Sequence, residues 1–211
     1  MISKMIFIIF FLTLLSHSIT NASVVDFCVA DLSSAETPSG FPCKSSVTIN
    51  DFIFSNFNSG NTSNSPFKAV FTSAFVHQFP AVNGLEISAA RLDMDVGGGV
   101  PIHSHRGASE IVMIVQGRIT VGFISSDNSV FVKTLSKGQI MIIPQGLLHF
   151  QFNAGRNKAT AFLSFSSSNP GAQLVDLALF GNNLSSAIVE RTTLLDPAQV
   201  KKLKAIFGGS G

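Results

Sequence analysis

A chain of 211 residues with a formal net charge of +2 has the length of one larger all-β domain or two small ones. Only 12% of its residues are charged and no run of like charge occurs, which excludes intrinsic disorder and leaves no electrostatic footprint for nucleic acid. Hydrophobic residues make up 45%, and they include 20 Phe but no Tyr and no Trp.

The first apolar mass lies at the start of the chain. Lys4 precedes an almost unbroken apolar run from Met5 to Leu15, and Thr20-Asn21-Ala22 supplies the small residues a signal peptidase reads. This predicts a signal peptide over residues 1–22, cleaved after Ala22, and a secreted mature protein. The run is too short for a membrane span, which takes about 20 apolar residues, and no later window comes close.

Cys28 and Cys43 are the only thiols of a chain bound for an oxidising compartment. An intrachain disulfide pinning residues 23–50 to the body is expected, an intermolecular bridge being the alternative. Asn61-Thr62-Ser63 is a glycosylation sequon in a Gly/Asn/Ser-rich stretch, and Asn183-Leu184-Ser185 is a second one beside a helical segment.

Short β-branched or aromatic stretches follow, over 47–54, 68–77 and 85–92. From residue 100 the rhythm tightens to strands over 110–116, 119–124, 130–135, 139–143, 148–153 and 159–165. Regular short strands between turn signals predict an all-β sandwich or small barrel over about 51–180. The period then changes. Asp196-Pro197 is an N-cap with proline at the first helical position, and Val200, Leu203 and Phe207 recur at helical spacing before Gly208-Gly209. A second helix is expected over about 185–191, giving a C-terminal helical extension at about 184–207. The apolar stripe of the last helix has two candidate partners, a neighbouring subunit or its own barrel.

The chemistry is concentrated in two segments. In an extended strand residues i and i+2 share a face, so His103 and His105 aim at one point, and Gly107 allows a turn that returns Glu110 to it. In the second segment Pro144-Gln145-Gly146 reverses the chain and His149 opens the following strand as a third imidazole. His77, outside both segments, reads as an ordinary strand residue. Three imidazoles and one carboxylate without a thiolate suit six-coordinate Mn²⁺ or Fe²⁺ better than zinc, and manganese is the preferred assignment.

The fixed spacing is Gly97, five residues, His103-x-His105, four residues, Glu110, six residues, Gly117; then Gly138, five residues, Pro144-x-Gly146, two residues, His149, three residues, Asn153. This resembles the paired boxes of the cupin superfamily, in particular the plant germins and germin-like proteins. The resemblance extends to the early Cys28/Cys43 pair, Asn169-Pro170-Gly171 and the terminal Phe207-Gly208-Gly209. The stretches 26–31, 144–151 and 201–204 most resemble the auxin-binding-type branch. It implies a β-jellyroll barrel holding one Mn²⁺ through His103, His105, Glu110 and His149. It also implies trimers of dimers in the apoplast and cell wall, with C-terminal helices clasping neighbouring subunits. True germins hold oxalate with two asparagines, and the matching positions here are Ala90 and Val100, neither of which can donate a side-chain hydrogen bond. Oxalate oxidation is therefore not expected. Three functions stay open: superoxide dismutation at manganese; binding of a small acid such as an auxin beside Val112, Ile114, Phe150 and Phe162; and a structural or storage role in the cell wall.

Overall fold

The structure is a computed structural model that describes residues 25–211; the expected signal peptide and its cleavage point lie outside the described residues. Its strands are β1 (Ala69–Ala74), β2 (Ser88–Met94), β3 (Gly99–Ser104), β4 (Glu110–Gln116), β5 (Arg118–Ile124), β6 (Val130–Ser136), β7 (Ile140–Ile143), β8 (Leu148–Asn153), β9 (Ala159–Phe165) and β10 (Gln173–Leu174). They form two five-stranded antiparallel sheets, ordered β1-β2-β9-β4-β7 and β10-β3-β8-β5-β6. This is the all-β jellyroll that the sequence predicts.

Period-two alternation explains the layering. Along β9, Ala159, Ala161, Leu163 and Phe165 turn inward and are buried, while Phe162 and Ser164 turn out. Leu92, Met94, Val112, Ile114, Ile119, Val121 and Ile143 complete the core between the sheets. The tight turn between β4 and β5 needs Gly117, whose φ is +81° and whose hypothetical Cβ would stand 2.8 Å from the Cβ of Ala159.

Three expected strands differ from what forms. Residues 47–54 hold a 3-10 turn, Ile49–Phe52, because Asp51 turns back to accept from the Thr48 amide at 2.8 Å and from Lys44, a local cap that outcompetes β-propensity. The strand expected over 85–92 begins three residues later, since Gly84 (φ +73°) and Glu86 (φ +54°) are spent on a turn. The strand expected over 68–77 ends at Ala74, where the Phe75 carbonyl accepts from the Gln78 and Phe79 amides and closes a turn. His77 is thus not a strand residue; it lies on that turn, edge-on to the Phe41 ring and 3.9 Å from Glu36.

Cys28 and Cys43 are joined as an intrachain disulfide. Asn83 reinforces the same hairpin, accepting from the Phe41 amide at 3.1 Å and donating to the Phe41 carbonyl at 2.9 Å. Ala30, Phe41, Val76 and Val82 form a small separate apolar cluster beneath it. Replacing both cysteines by serine is expected to lower stability by about 3 kcal/mol, the loop-closure value for a bridge spanning 15 residues, read as a lower urea midpoint.

The helical extension consists of α1 (Val175–Phe180), α2 (Ser186–Thr193) and α3 (Pro197–Phe207). Asp196 caps α3 by accepting from the Ala198 amide at 2.8 Å, and Gly208 ends it in the left-handed region, as the sequence indicates. Neither α1 nor β10 was legible, each being too short to show a period. The apolar stripe of α3 packs inside the helical extension rather than on the barrel. Val200, Leu203 and Phe207 pack on Phe180 and Val189 of the other two helices. Among the described residues no helix is long and apolar enough to cross a membrane.

Candidate metal centre

His103, Glu110 and His149 come from strands of both sheets, and one distortion of the backbone brings them together. The register of β3 against β8 shifts between Val100 and His103, a stretch that contains Pro101, which has no amide to give to the ladder. The shift sets His103 directly opposite His149. Glu110 opens β4 in the other sheet, and His105 lies one residue past the end of β3, on the turn between them. The donor atoms of His103, His105, Glu110 and His149 all lie within 4.8 Å of one another, and all four residues are buried. The sequence-predicted quartet is thus brought together as a whole.

The proton positions follow from the hydrogen bonds. Nδ1 of His103 faces the Pro101 carbonyl at 2.8 Å, Nδ1 of His149 faces the Leu147 carbonyl at 2.9 Å, and Nδ1 of His105 faces the Gly171 carbonyl. A carbonyl oxygen only accepts, so each Nδ1 carries the proton and each Nε2 keeps its lone pair. His149 Nε2 stands 3.0 Å from Glu110 Oε2 and His105 Nε2 stands 3.4 Å from it. The approach to His149 is short, yet both of its atoms are buried without a hydrogen-bond partner, because lone pair faces lone pair. A positive charge between them resolves that conflict, either a proton or a metal ion. This donor set fits a divalent cation that accepts mixed nitrogen and oxygen ligation.

Gln151 completes the polar cluster and was not singled out from the sequence. It lies two residues after His149 on the same face of β8, and its Nε2 donates to Glu110 Oε1 at 3.4 Å. The period-two rule applied to β8 contained this signal, since Gln151 is the polar residue between two phenylalanines.

Burial raises the carboxyl of Glu110, but the imidazoles of His105 and His149 beside it, which donate to it and carry positive charge once Nε2 is protonated, outweigh burial and hold the group down to about 2. Burial, followed by repulsion from His149, pushes His103 down to about 4. Burial acts in the same sense on His105, but the Glu110 carboxylate and the Gly171 carbonyl outweigh it and raise that imidazole above its ordinary 6.5. Below the His105 pKa a cation must displace a second proton, the one on Nε2, whereas Glu110 is already ionised. Metal affinity is therefore expected to level off above the His105 pKa and to fall by about tenfold per pH unit below it, as measured by competition with a chelator.

A cavity of about 300 Å³ leads to His103 and His105 between β1 and the β3–β10 edge. Its walls are Phe67, Phe71, Phe75, Val100, Phe165 and Leu174. The expected apolar walls differ from these. Phe150 and Phe162 alternate outward from their strands, away from the site, and Val112 and Ile114 are sealed in the core. A one-residue difference in strand parity decides this, and Phe165 takes the place assigned to Phe162. Ala90 is fully buried in the core and Val100 lines the cavity, so positions 90 and 100 offer it only hydrocarbon.

A two-sheet jellyroll with a three-histidine, one-glutamate cluster between its layers defines a class of metal-site β-barrel. The sequence profile of the Cupin family matches residues 54–201. The chain is 56% identical to the auxin-binding protein ABP20 of Prunus persica over 99% of its own length and 98% of that protein's. It is 58% identical to the germin-like protein 8-14 of Oryza sativa subsp. japonica over 88% of each chain. Among solved structures, a recombinant oxalate oxidase in complex with glycolate superposes with a TM-score of 0.83 at 35% identity, covering 87% of this chain and 96% of that one. The chain belongs to the cupin family, in the group of germin-like and auxin-binding proteins.

Proposed function

We propose that this chain is a secreted, manganese-binding germin-like protein of the apoplast and cell wall, without oxalate oxidase activity, that dismutates superoxide. The reading rests on one observation above all: three imidazoles with their protons fixed on Nδ1, and a buried Glu110 Oε2 with no hydrogen-bond partner, converge on a single point. His103, His105, Glu110 and His149 would hold the ion, and Gln151 orients the carboxylate. Bound there, manganese supplies one-electron redox chemistry, which is what superoxide dismutation requires. The apolar lining from Val100 and Phe165 keeps bulk water from the imidazoles, and no side-chain amide at positions 90 or 100 is present to hold a dicarboxylate.

The test is metal analysis of the secreted protein, followed by superoxide and oxalate assays on the same sample. One manganese per chain, inhibitor-sensitive loss of superoxide and no turnover of oxalate are expected. Inactivity towards superoxide at full manganese occupancy would overturn the proposal.

The cavity favours a second reading, in which the same site receives the carboxylate of a small, largely apolar acid such as an auxin. Beyond the imidazoles its lining offers hydrophobic walls and neither Lys nor Arg, so one charged end is accommodated at the metal and a second is not. Calorimetric titration with an auxin should give heat only when manganese is present; equal heats with and without metal reject a metal-centred site. Glycans on Asn61 and Asn183, both exposed, and assembly as a trimer of dimers belong to the same proposal. Exposed Ile111, Val115, Ile140 and Ile142 on the outer face of β4 and β7 support association.

A further inference from the structure

The three histidines are not held alike. His103 and His149 each donate to the carbonyl two residues before them, so any chain that forms β3 and β8 fixes both rings. His105 donates to Gly171, 66 residues away, in the connection between β9 and the helical extension. We propose that the segment Asn169–Leu174 is a positioning strap that sets the proton and the orientation of His105, and through it the metal affinity of the site.

Four further features place the strap. Pro170 is buried, and its carbonyl accepts from the Gly107 amide at 3.3 Å, on the turn that carries His105. Gln173 and Leu174 pair with Ser104 and His103 as β10. Ala172 and Leu174 line the cavity in front of the imidazoles. Gly171 turns the strap with a φ of +61°, in open space on its Cβ side. The strap therefore grips the β3–β4 turn at the one imidazole of the quartet that has no local carbonyl partner. Without Gly171 the His105 proton has no fixed acceptor, and the ring exchanges between its two neutral tautomers, only one of which presents Nε2 to a metal. Leu174 ends β10 and is also the residue before the first turn of α1, so displacement of the helical extension is transmitted to His105 without an intervening linker.

This inference rests on the metal-site reading, but its primary test needs no metal. Pro170→Gly removes the ring that fixes the strap, and Gly171→Ala disfavours the positive φ without a steric clash. Nitrogen-15 spectra of the metal-free full chain, recorded alkaline of the histidine titrations, should show His103, His105 and His149 protonated on Nδ1. In both variants His105 alone should become a tautomer mixture, and Mn²⁺ affinity should fall by about tenfold or more. Where Pro170→Gly does not fold, Gly171→Ala carries the comparison. An unchanged His105 tautomer overturns the proposal, and so does a change shared equally by all three rings, which marks a merely structural strap. If the unaltered protein takes up no Mn²⁺, the proposed function fails while the tautomer comparison still decides the role of the strap.

Discussion

Glu110→Gln is expected to abolish metal binding while leaving a folded protein. The substitution keeps the shape of the side chain but removes the charge on which His105 and His149 converge at 3.4 and 3.0 Å. Partners outside the ligand set typically contribute 10–100-fold to metal affinity, so losing the sole anionic ligand should exceed about 100-fold. The same variant tests the link to stability. A ligand present at about 1,000 times its Kd stabilises the folded state by about 4 kcal/mol, so manganese should raise the melting temperature of the unaltered protein and leave that of Glu110→Gln unmoved. A manganese-induced rise that survives in the variant would show that the ion binds elsewhere. A melting temperature unaffected by manganese in the unaltered protein would reject a mainly structural role for the ion.

Leu163→Ala should lower stability by about 3 kcal/mol with the metal site intact. Leu163 is 1% exposed and sits on β9, which pairs with both β2 and β4 at the centre of its sheet. Its neighbours across these ladders, Ala90 and Val112, are held by strand pairing and cannot close over the vacated volume. For a domain of this size the loss corresponds to a melting temperature lower by about 6–12 °C. The urea m-value should stay constant, and manganese stoichiometry below the transition should remain at one per chain. A loss under 1 kcal/mol would mean that the two sheets relax towards each other more readily than the alternating burial of β9 indicates.

The ligand quartet was legible because its geometry is local. His103 and His105 share a face by strand period, Glu110 follows one short turn, and His149 follows the Pro144–Gly146 reversal. The strands from 110 to 165 were legible for the same reason, since alternation and glycine-bearing turns mark their limits closely. What escaped depends on distant parts of the chain. The Gly171 carbonyl presents no side chain to read, and its partnership with His105 exists only once β10 pairs with β3. Gln151 gains its meaning from Glu110 across the sandwich. The stretch 47–54 failed differently. Asp51 caps its own turn there, and a short side-chain hydrogen bond overrides a propensity spread over several residues. The misassigned cavity walls show how sharply a strand's parity matters, since Phe162 and Phe165, an odd three positions apart, lie on opposite faces of β9.

The ligands straddle the sandwich, with His103 and His149 in one sheet and Glu110 in the other. An ion held by all of them is a rivet between the layers, and the layers part only once its coordination is broken. Opening of the fold is thereby tied to loss of the ion, so hydrogen exchange of the core amides of β4 and β8 should slow when manganese is bound and recover when a chelator removes it.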